Sequence, residues 1–244
     1  MKLSITPDKT WPKTGKEPRG FRIAVAGSHF VSLLIAAALR ETGSVTLAEL
    51  GSPRAWLALN LEERFKGRCF TDYTETLAAG GPIRLLSNLE ENVNWIVRKP
   101  GSPPASGTDL YRLAFGLPGD FVVLDLSGAG EDDVIKLAAD SDGAVLVCDP
   151  LPSRLLSDYR FTDRFRLTLP KAAVVVNRMN QGVHKGALKR FLSGADYVGL
   201  PYIDPVFIYR AEYSASLPWN VPQIRAAAGP AISEILARLG IKAT

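Results

Sequence analysis

Residues Phe21 to Gly43, FRIAVAGSHFVSLLIAAALRETG, restrict the fold more than any other stretch. Arg22 to Ala26 reads as a short strand apolar on both faces, which places it inside a parallel sheet. Only Gly27-Ser28-His29 separates it from Phe30 to Leu39, where apolar residues run almost unbroken. That pattern suits a helix packed between a sheet and further helices, and Gly43 is its stop signal. A buried strand passing through a tight turn into a buried helix opens a doubly wound α/β domain. The turn lies at the positive end of the helix, where such domains hold phosphate groups.

The rest of the chain repeats the alternation. Val45 to Leu50, Asn92 to Val97, Phe121 to Leu126, Ala144 to Asp149, Ala172 to Asn177 and Tyr197 to Ile203 read as strands. Helices are expected at DLYRLAFGL with Asp109 as its cap, and over Glu131 to Ala139, whose first-turn acids suit the helix dipole. Further helices are expected over Ser153 to Phe165, Val183 to Leu192, Phe207 to Ser214 and Pro230 to Leu239. Residues 54–92 carry the weakest pattern. Trp56, Leu57, Leu59 and Leu61 suggest a helix there, and Gly80-Gly81-Pro82 a turn. Residues 99–107, KPGSPPASG, read as an exposed loop. Residues 1–20 read as a polar tail with Trp11 as its one anchor, and 21–244 as a single domain. The expected fold class is α/β, doubly wound, with a mostly parallel central sheet and helices on both faces in three layers. The strand ends, where ligands bind in such sheets, carry Gly27, Glu49, Asp125, Asp149 and Asn177.

Composition removes several classes of function. With 244 residues, 46% apolar and 22% charged, the chain buries a large core. Two cysteines, Cys69 and Cys148, are too few for a disulfide framework or a zinc site and fit a reducing compartment. The net charge is +4, but Lys and Arg are scattered, which argues against nucleic acid and leaves room for a weak contact with an acidic partner or membrane surface. No run of about 18 apolar residues exists to span a membrane. Met1 to Gly20 has no apolar core of the signal-peptide kind.

Three polar positions are candidates for chemistry. Asp125 ends an apolar strand before Leu126-Ser127-Gly128. A strand-end Asp followed by a Gly turn can hold Mg²⁺ while the Gly amide meets a terminal phosphate; an Asp capping its own turn is the common alternative. Asn177, followed by Arg178, has both a donor and an acceptor for a purine edge, or else serves a left-handed turn. Ser28 fits a helix N-cap. Its neighbour His29 does not make a nucleophile–base pair without a third residue, and none is indicated. His184, in a polar stretch, reads as a surface residue.

In order, these segments resemble the MinD/ParA family of deviant Walker-type ATPases, in the SIMIBI class of P-loop NTPases. The likeness is carried by FRIAVAG and its helix, VTLAELGSP, NVNWIV, FVVLDLSGAG, LAADSDGAVLVCDP, AAVVVNRMN and YVGLPYIDPVFIYRAEYSASLPW. It implies ATP or ADP with Mg²⁺ as ligand, nucleotide-dependent dimerisation, and control of location on membrane or DNA. By that resemblance Gly27, Ser28, His29, Gly128, Asn177 and Arg178 would contact nucleotide and Asp125 would hold Mg²⁺. The phosphate loop departs from the family pattern K-G-G-x-G-K-[ST]. Here it reads Ala26-Gly27-Ser28-His29-Phe30, with no lysine between Lys16 and Lys66. A triphosphate needs its charge met by lysines and a nest of amides. Of the residues in the turn, only His29 can carry positive charge, and a bound phosphate would have to raise its pKa.

The expectation is therefore a degenerate member acting as a cytoplasmic binding or positioning module. It would engage a protein partner or a second copy of itself and be recruited to the inner face of the membrane through that partner. In its atypical loop it is similar to the TadZ/CpaE branch, which localises pilus and secretion machinery, although the receiver-like N-terminal domain of that branch has no counterpart in this sequence. The alternative is a divergent but active Mg-dependent ATPase using Asp125, Asn177, and Arg54, Arg178 or an arginine from a partner. A Rossmann dinucleotide enzyme needs more glycines than Gly27 supplies.

Overall fold

The structure, a computed structural model, describes residues 20–66, 72–79, 81, 83, 85–90 and 92–241. The expected tail over residues 1–19, with Trp11, lies outside the described residues, as do Gly80 and Pro82 of the expected turn.

The chain runs β1 (Phe21–Ala26), α1 (His29–Leu39), β2 (Val45–Glu49), α2 (Ala55–Ala58), α3 (Leu61–Arg64), α4 (Tyr73–Ala78), β3 (Leu86–Glu90), β4 (Val93–Ile96) and α5 (Gly107–Gly116). It continues with β5 (Phe121–Asp125), α6 (Glu131–Ala139), β6 (Gly143–Cys148), α7 (Pro152–Ser157), α8 (Tyr159–Thr168), β7 (Ala173–Met179) and α9 (Lys185–Phe191). It ends with β8 (Val198–Pro201), α10 (Pro205–Tyr213), a 3-10 turn at Pro218–Asn220 and α11 (Pro222–Arg238).

The eight described strands form one sheet in the order β3-β4-β2-β5-β1-β6-β7-β8. Every pairing is parallel except β3 with β4. Side chains alternate across a strand, so the two faces build two cores. Ile23, Val25, Val145 and Val147 join one core with α1 and α11, and Ala24, Ala26, Leu146 and Cys148 join the other with α5, α6 and α8. Helix α1 is apolar on all sides because the sheet covers one flank and α11 with the 3-10 turn covers the other.

Several expected boundaries move. The turn after β1 is two residues, Gly27 and Ser28, and His29 already belongs to α1. Ser106 occupies the cap position of α5, so Asp109 is a first-turn residue and not the cap. The single helix expected over Ser153 to Phe165 is two, α7 and α8, meeting at Asp158. The helix suggested by Trp56 to Leu61 is also two short pieces, parted by Asn60 in a left-handed conformation (φ 50°). The last helix begins at Pro222 and runs through Pro230. A proline there costs a backbone hydrogen bond. Burial of Ile224, Ala228, Ile232 and Ile235 along one face holds the helix through that position.

Candidate functional site

The sheet order assembles the site. Within it β5 lies between β1 and β2, and in register Asp125 sits opposite Val25 on one side and Glu49 on the other. The loops that follow are laced together. Leu50 N and Gly51 N donate to the Asp125 carbonyl (2.9 and 3.3 Å), and Ser52 N donates to the Ser127 carbonyl (2.8 Å). Gly27 makes the turn out of β1 possible. Its φ is +94°, and a Cβ there would stand 2.2 Å from the Val147 carbonyl oxygen on β6. Ser28 caps α1 as expected, with extended backbone and its Oγ accepting from Val31 N (3.3 Å).

That tight turn drops His29 inward. Its Nδ1 pairs with Asp125 Oδ2, and both residues are buried (7% and 1% exposed). Asp125 Oδ1 accepts from Ser127 Oγ (2.6 Å), Ser127 N (3.1 Å) and Ser32 Oγ (3.1 Å). Both oxygens of this carboxylate are thus engaged by the protein itself. Ser32 is a residue that sequence reasoning missed. The signal for it was a lone hydroxyl inside FVSLLIAAAL, one helical turn after Ser28.

Glu49 completes the cluster at 2% exposure. Its Oε1 accepts from Arg54 N and Ala55 N, both at 2.6 Å, while Oε2 has no partner among the described residues. His29 Nε2 is likewise buried and has no partner among the described residues. One donor atom from each of His29, Glu49 and Asp125 lies within 4.8 Å of the others.

The charges respond to one another. Burial lowers the pKa of His29, but the Asp125 hydrogen bond and charge, helped by Glu49, outweigh it and leave the imidazole above its ordinary value. The group that raises it is a carboxylate of the protein, so, contrary to the expectation from the sequence, the shift does not depend on a bound phosphate. Burial raises the Asp125 pKa, and the His29 hydrogen bond and charge with the Ser127 bonds bring it below the ordinary value. Glu49 ends above its ordinary value because burial exceeds the help from the Ala55 and Arg54 amides and from His29.

Outside this cluster lies a cleft of about 750 Å³ at the carboxyl ends of β1, β6, β7 and β8, within the size range of small-molecule sites. Gly27, Ser28, His29, Asn177 and Arg178 all line it, so five expected nucleotide contacts are brought together. Gly128 is not among the lining residues. Its φ is +82°, and a Cβ there would meet Ser52 Oγ at 2.1 Å. Asp125 sits behind His29 and is likewise absent from the lining. Asn177 and Arg178 do not follow the strand as expected but lie within β7, where its pairing with β8 shifts register between Val176 and Met179. Asn177 Oδ1 accepts from Arg178 N (2.8 Å), and the left-handed residue is Arg178 (φ 57°), not Asn177. Arg178 Nη1 reaches Asp149 Oδ2 at 3.4 Å. Arg54 and Leu57 from α2 and its cap, with Tyr209 and Tyr213 from α10, form the rim. The two tyrosines were not singled out from sequence. His184 is exposed as expected, its Nδ1 accepting from Ala187 N at the start of α9.

No protein-family model matches the sequence, nor does any curated protein; the likeness to known proteins lies in three dimensions. A putative plasmid partition protein from Borrelia burgdorferi, bound to AMPPNP, superposes with a TM-score of 0.67 at 17% identity, over 90% of this chain and 99% of that one. The MinD cell division protein of Aquifex aeolicus gives 0.66 at 14% identity, over 89% and 98%. In the MinC:MinD complex from Aquifex aeolicus the values are 0.65 and 16%, over 89% and 96%. The chain therefore has the fold of the MinD/ParA ATPases, a three-layer α/β arrangement around a mostly parallel sheet.

Proposed function

We propose that the protein is a binding or positioning module built on the MinD/ParA fold, without efficient ATP turnover. The observation that carries this reading is the His29–Asp125 pair. The carboxylate that the fold would offer to Mg²⁺ is already met by His29, Ser32 and Ser127. The turn that would wrap phosphates is Gly27-Ser28, and the Ser28 hydroxyl caps its own helix. No lysine stands between Lys16 and Lys66. An anionic triphosphate in a dry site needs fixed cations and aimed amides, and these residues do not fit a Mg·triphosphate. No hydrolytic step is assigned to them.

The rim of the cleft supports a role in binding another protein. Tyr209 is 59% exposed, Tyr213 92% and Leu57 68%, and clustered exposed apolar groups mark docking surfaces. The occupant is a protein partner or a second copy of this chain, and the structurally similar MinD is itself seen in complex with MinC. Among the described residues no helix is long and apolar enough to cross a membrane; recruitment to a membrane through a partner is part of this reading. Positioning of pilus or secretion machinery is the process this reading favours.

The second reading, a divergent active ATPase, draws on Asn177, Arg178 and Arg54 lining one cleft. Titration of the intact protein with a fluorescent ATP analogue and Mg²⁺ to millimolar concentration, with phosphate release followed in parallel, separates the two. Neither saturable binding nor release above the blank is expected. Mg-dependent saturable binding with turnover would favour the ATPase.

A further inference from the structure

Two carboxylates and one imidazole cluster behind the cleft, which His29 alone of the three lines, and among the described residues their hydrogen bonds do not close. Glu49 and Asp125 are 2% and 1% exposed, at neighbouring ends of β2 and β5. Two buried acids side by side need compensating positive charge. Asp125 has four donors across its two oxygens. Glu49 has two, both on Oε1. That leaves Glu49 Oε2 and His29 Nε2, both buried and without a hydrogen-bond partner among the described residues, on residues of which one donor atom each lies within 4.8 Å of the others. Stranded buried polar atoms call for an explanation, such as an unseen water or ion. Here the stranded pair is a carboxylate oxygen and an azole nitrogen. Metal–ligand bonds of about 2.0–2.2 Å put two ligands of one ion about 3–4 Å apart, so an ion held here requires the two side chains to adjust around it.

We propose that His29 Nε2 and Glu49 Oε2 bind a first-row divalent transition ion of the Zn²⁺ or Co²⁺ type, with Asp125 as the positioning carboxylate behind the histidine. Asp125 accepts from Nδ1–H and so fixes the tautomer whose Nε2 lone pair is free for the ion. A carboxylate behind a ligating histidine is a recurrent arrangement in metal sites. The imidazole selects transition ions over Mg²⁺, which favours oxygen donors alone. His29 lines the cleft, which supplies both an entry route and water to complete the shell. The ion adds the positive charge that the two acids need. The site goes beyond the binding role above and requires no nucleotide.

The chain has two histidines, His29 and His184, so His184→Ala leaves one candidate imidazole. The purified His184→Ala protein, stripped with chelator and free of nucleotide, is titrated with Co²⁺ and then challenged with Zn²⁺. The expected result is one Co²⁺ per chain, visible ligand-field bands lost on Zn²⁺ addition, and an X-ray absorption spectrum with one imidazole in an N/O shell. Glu49→Gln keeps the Oε1 that receives the Arg54 and Ala55 amides but replaces Oε2. It is expected to weaken Co²⁺ by more than the about 10–100-fold that loss of an outer-shell partner costs, whereas Asp125→Asn falls within that range. Circular dichroism of the metal-free variants checks that each is folded, and the His184→Ala spectrum decides the matter if one is not. Substoichiometric Co²⁺ binding at millimolar metal, a shell without imidazole, or a folded Glu49→Gln protein with unchanged affinity would overturn the site. Because ATP is absent throughout, none of these outcomes bears on whether the cleft turns over nucleotide.

Discussion

His29, the first residue of α1, is hydrogen-bonded through Nδ1 to Oδ2 of Asp125, the last residue of β5, in a position 96 residues away in sequence. The pair ties the first helix to the strand beside β1 and buries both partners. Removing one partner of a buried ion pair strands the other. His29→Ala, with chelator present, is therefore expected to cost about 3–5 kcal/mol of stability in urea unfolding. The double-mutant cycle of His29→Ala with Asp125→Ala should show a measurable coupling energy. Simple additivity of the two substitutions would mean that the pair is not formed in solution.

Gly27 has a backbone that an L side chain rarely adopts and no room for a Cβ against the Val147 carbonyl. Gly27→Ala is expected to destabilise by about 1–3 kcal/mol through backbone strain, and Gly27→Val by more. Thermal melts of both variants test this. A Gly27→Ala protein that melts with the parent would show that the strand-to-helix turn is elsewhere.

Asp72 offers a pH test away from the cleft. It is 1% exposed and caps α4, accepting from Thr74 N (2.9 Å), Glu75 N (3.0 Å) and Lys99 N (3.2 Å). Burial raises its pKa, but the bonds from Ser102, Thr74 and the Glu75 and Lys99 amides outweigh that and leave it below the ordinary 3.8. A depressed folded value means that the ionised form stabilises the fold. The contribution is complete above the unfolded value of about 3.9 and is lost as pH falls through the folded value. Melting temperatures from pH 7 down to pH 2 should fall more steeply at the acid end in the parent than in Asp72→Asn, and parallel curves would count against the assignment.

The exposed rim gives the contrasting case, a change in association without a change in stability. Tyr209→Ser with Tyr213→Ser should leave unfolding free energy within about 0.5 kcal/mol, as expected for surface positions. Self-association or partner binding, followed by sedimentation or light scattering, should weaken. Unaltered association would move the docking surface away from α10.

Much of the fold could be read from local pattern. The apolar runs at Phe121, Ala144 and Ala173 sit where β5, β6 and β7 form, because a strand covered on both faces must be apolar throughout. Residues 54–92 could not be read in this way. β3 is an antiparallel edge strand of mixed polarity, LSNLE, and its pairing with β4 depends on a neighbour that periodicity does not reveal. Pro230 looked like the start of a helix because proline favours first positions, while the observed helix depends on what Ile224 and Ala228 are buried against.

The site divides along the same line. By itself the sequence determined the strand–turn–helix order, the missing lysines, and the presence of polar residues at the strand ends Glu49 and Asp125, whereas Asn177, expected to end its strand, lies inside β7. These follow from backbone length, periodicity and residue chemistry, which act locally. The tertiary structure alone decided that His29 turns inward to Asp125, that Ser32 and Ser127 take up the remaining carboxylate oxygen, and that Glu49 comes to rest beside them with one oxygen unmatched. Strand order brings those groups together, since β2 and β1 flank β5 although 71 residues lie between Glu49 and Phe121 in sequence. Once they are together away from water, charge and hydrogen bonding, rather than sequence pattern, decide what each group can do.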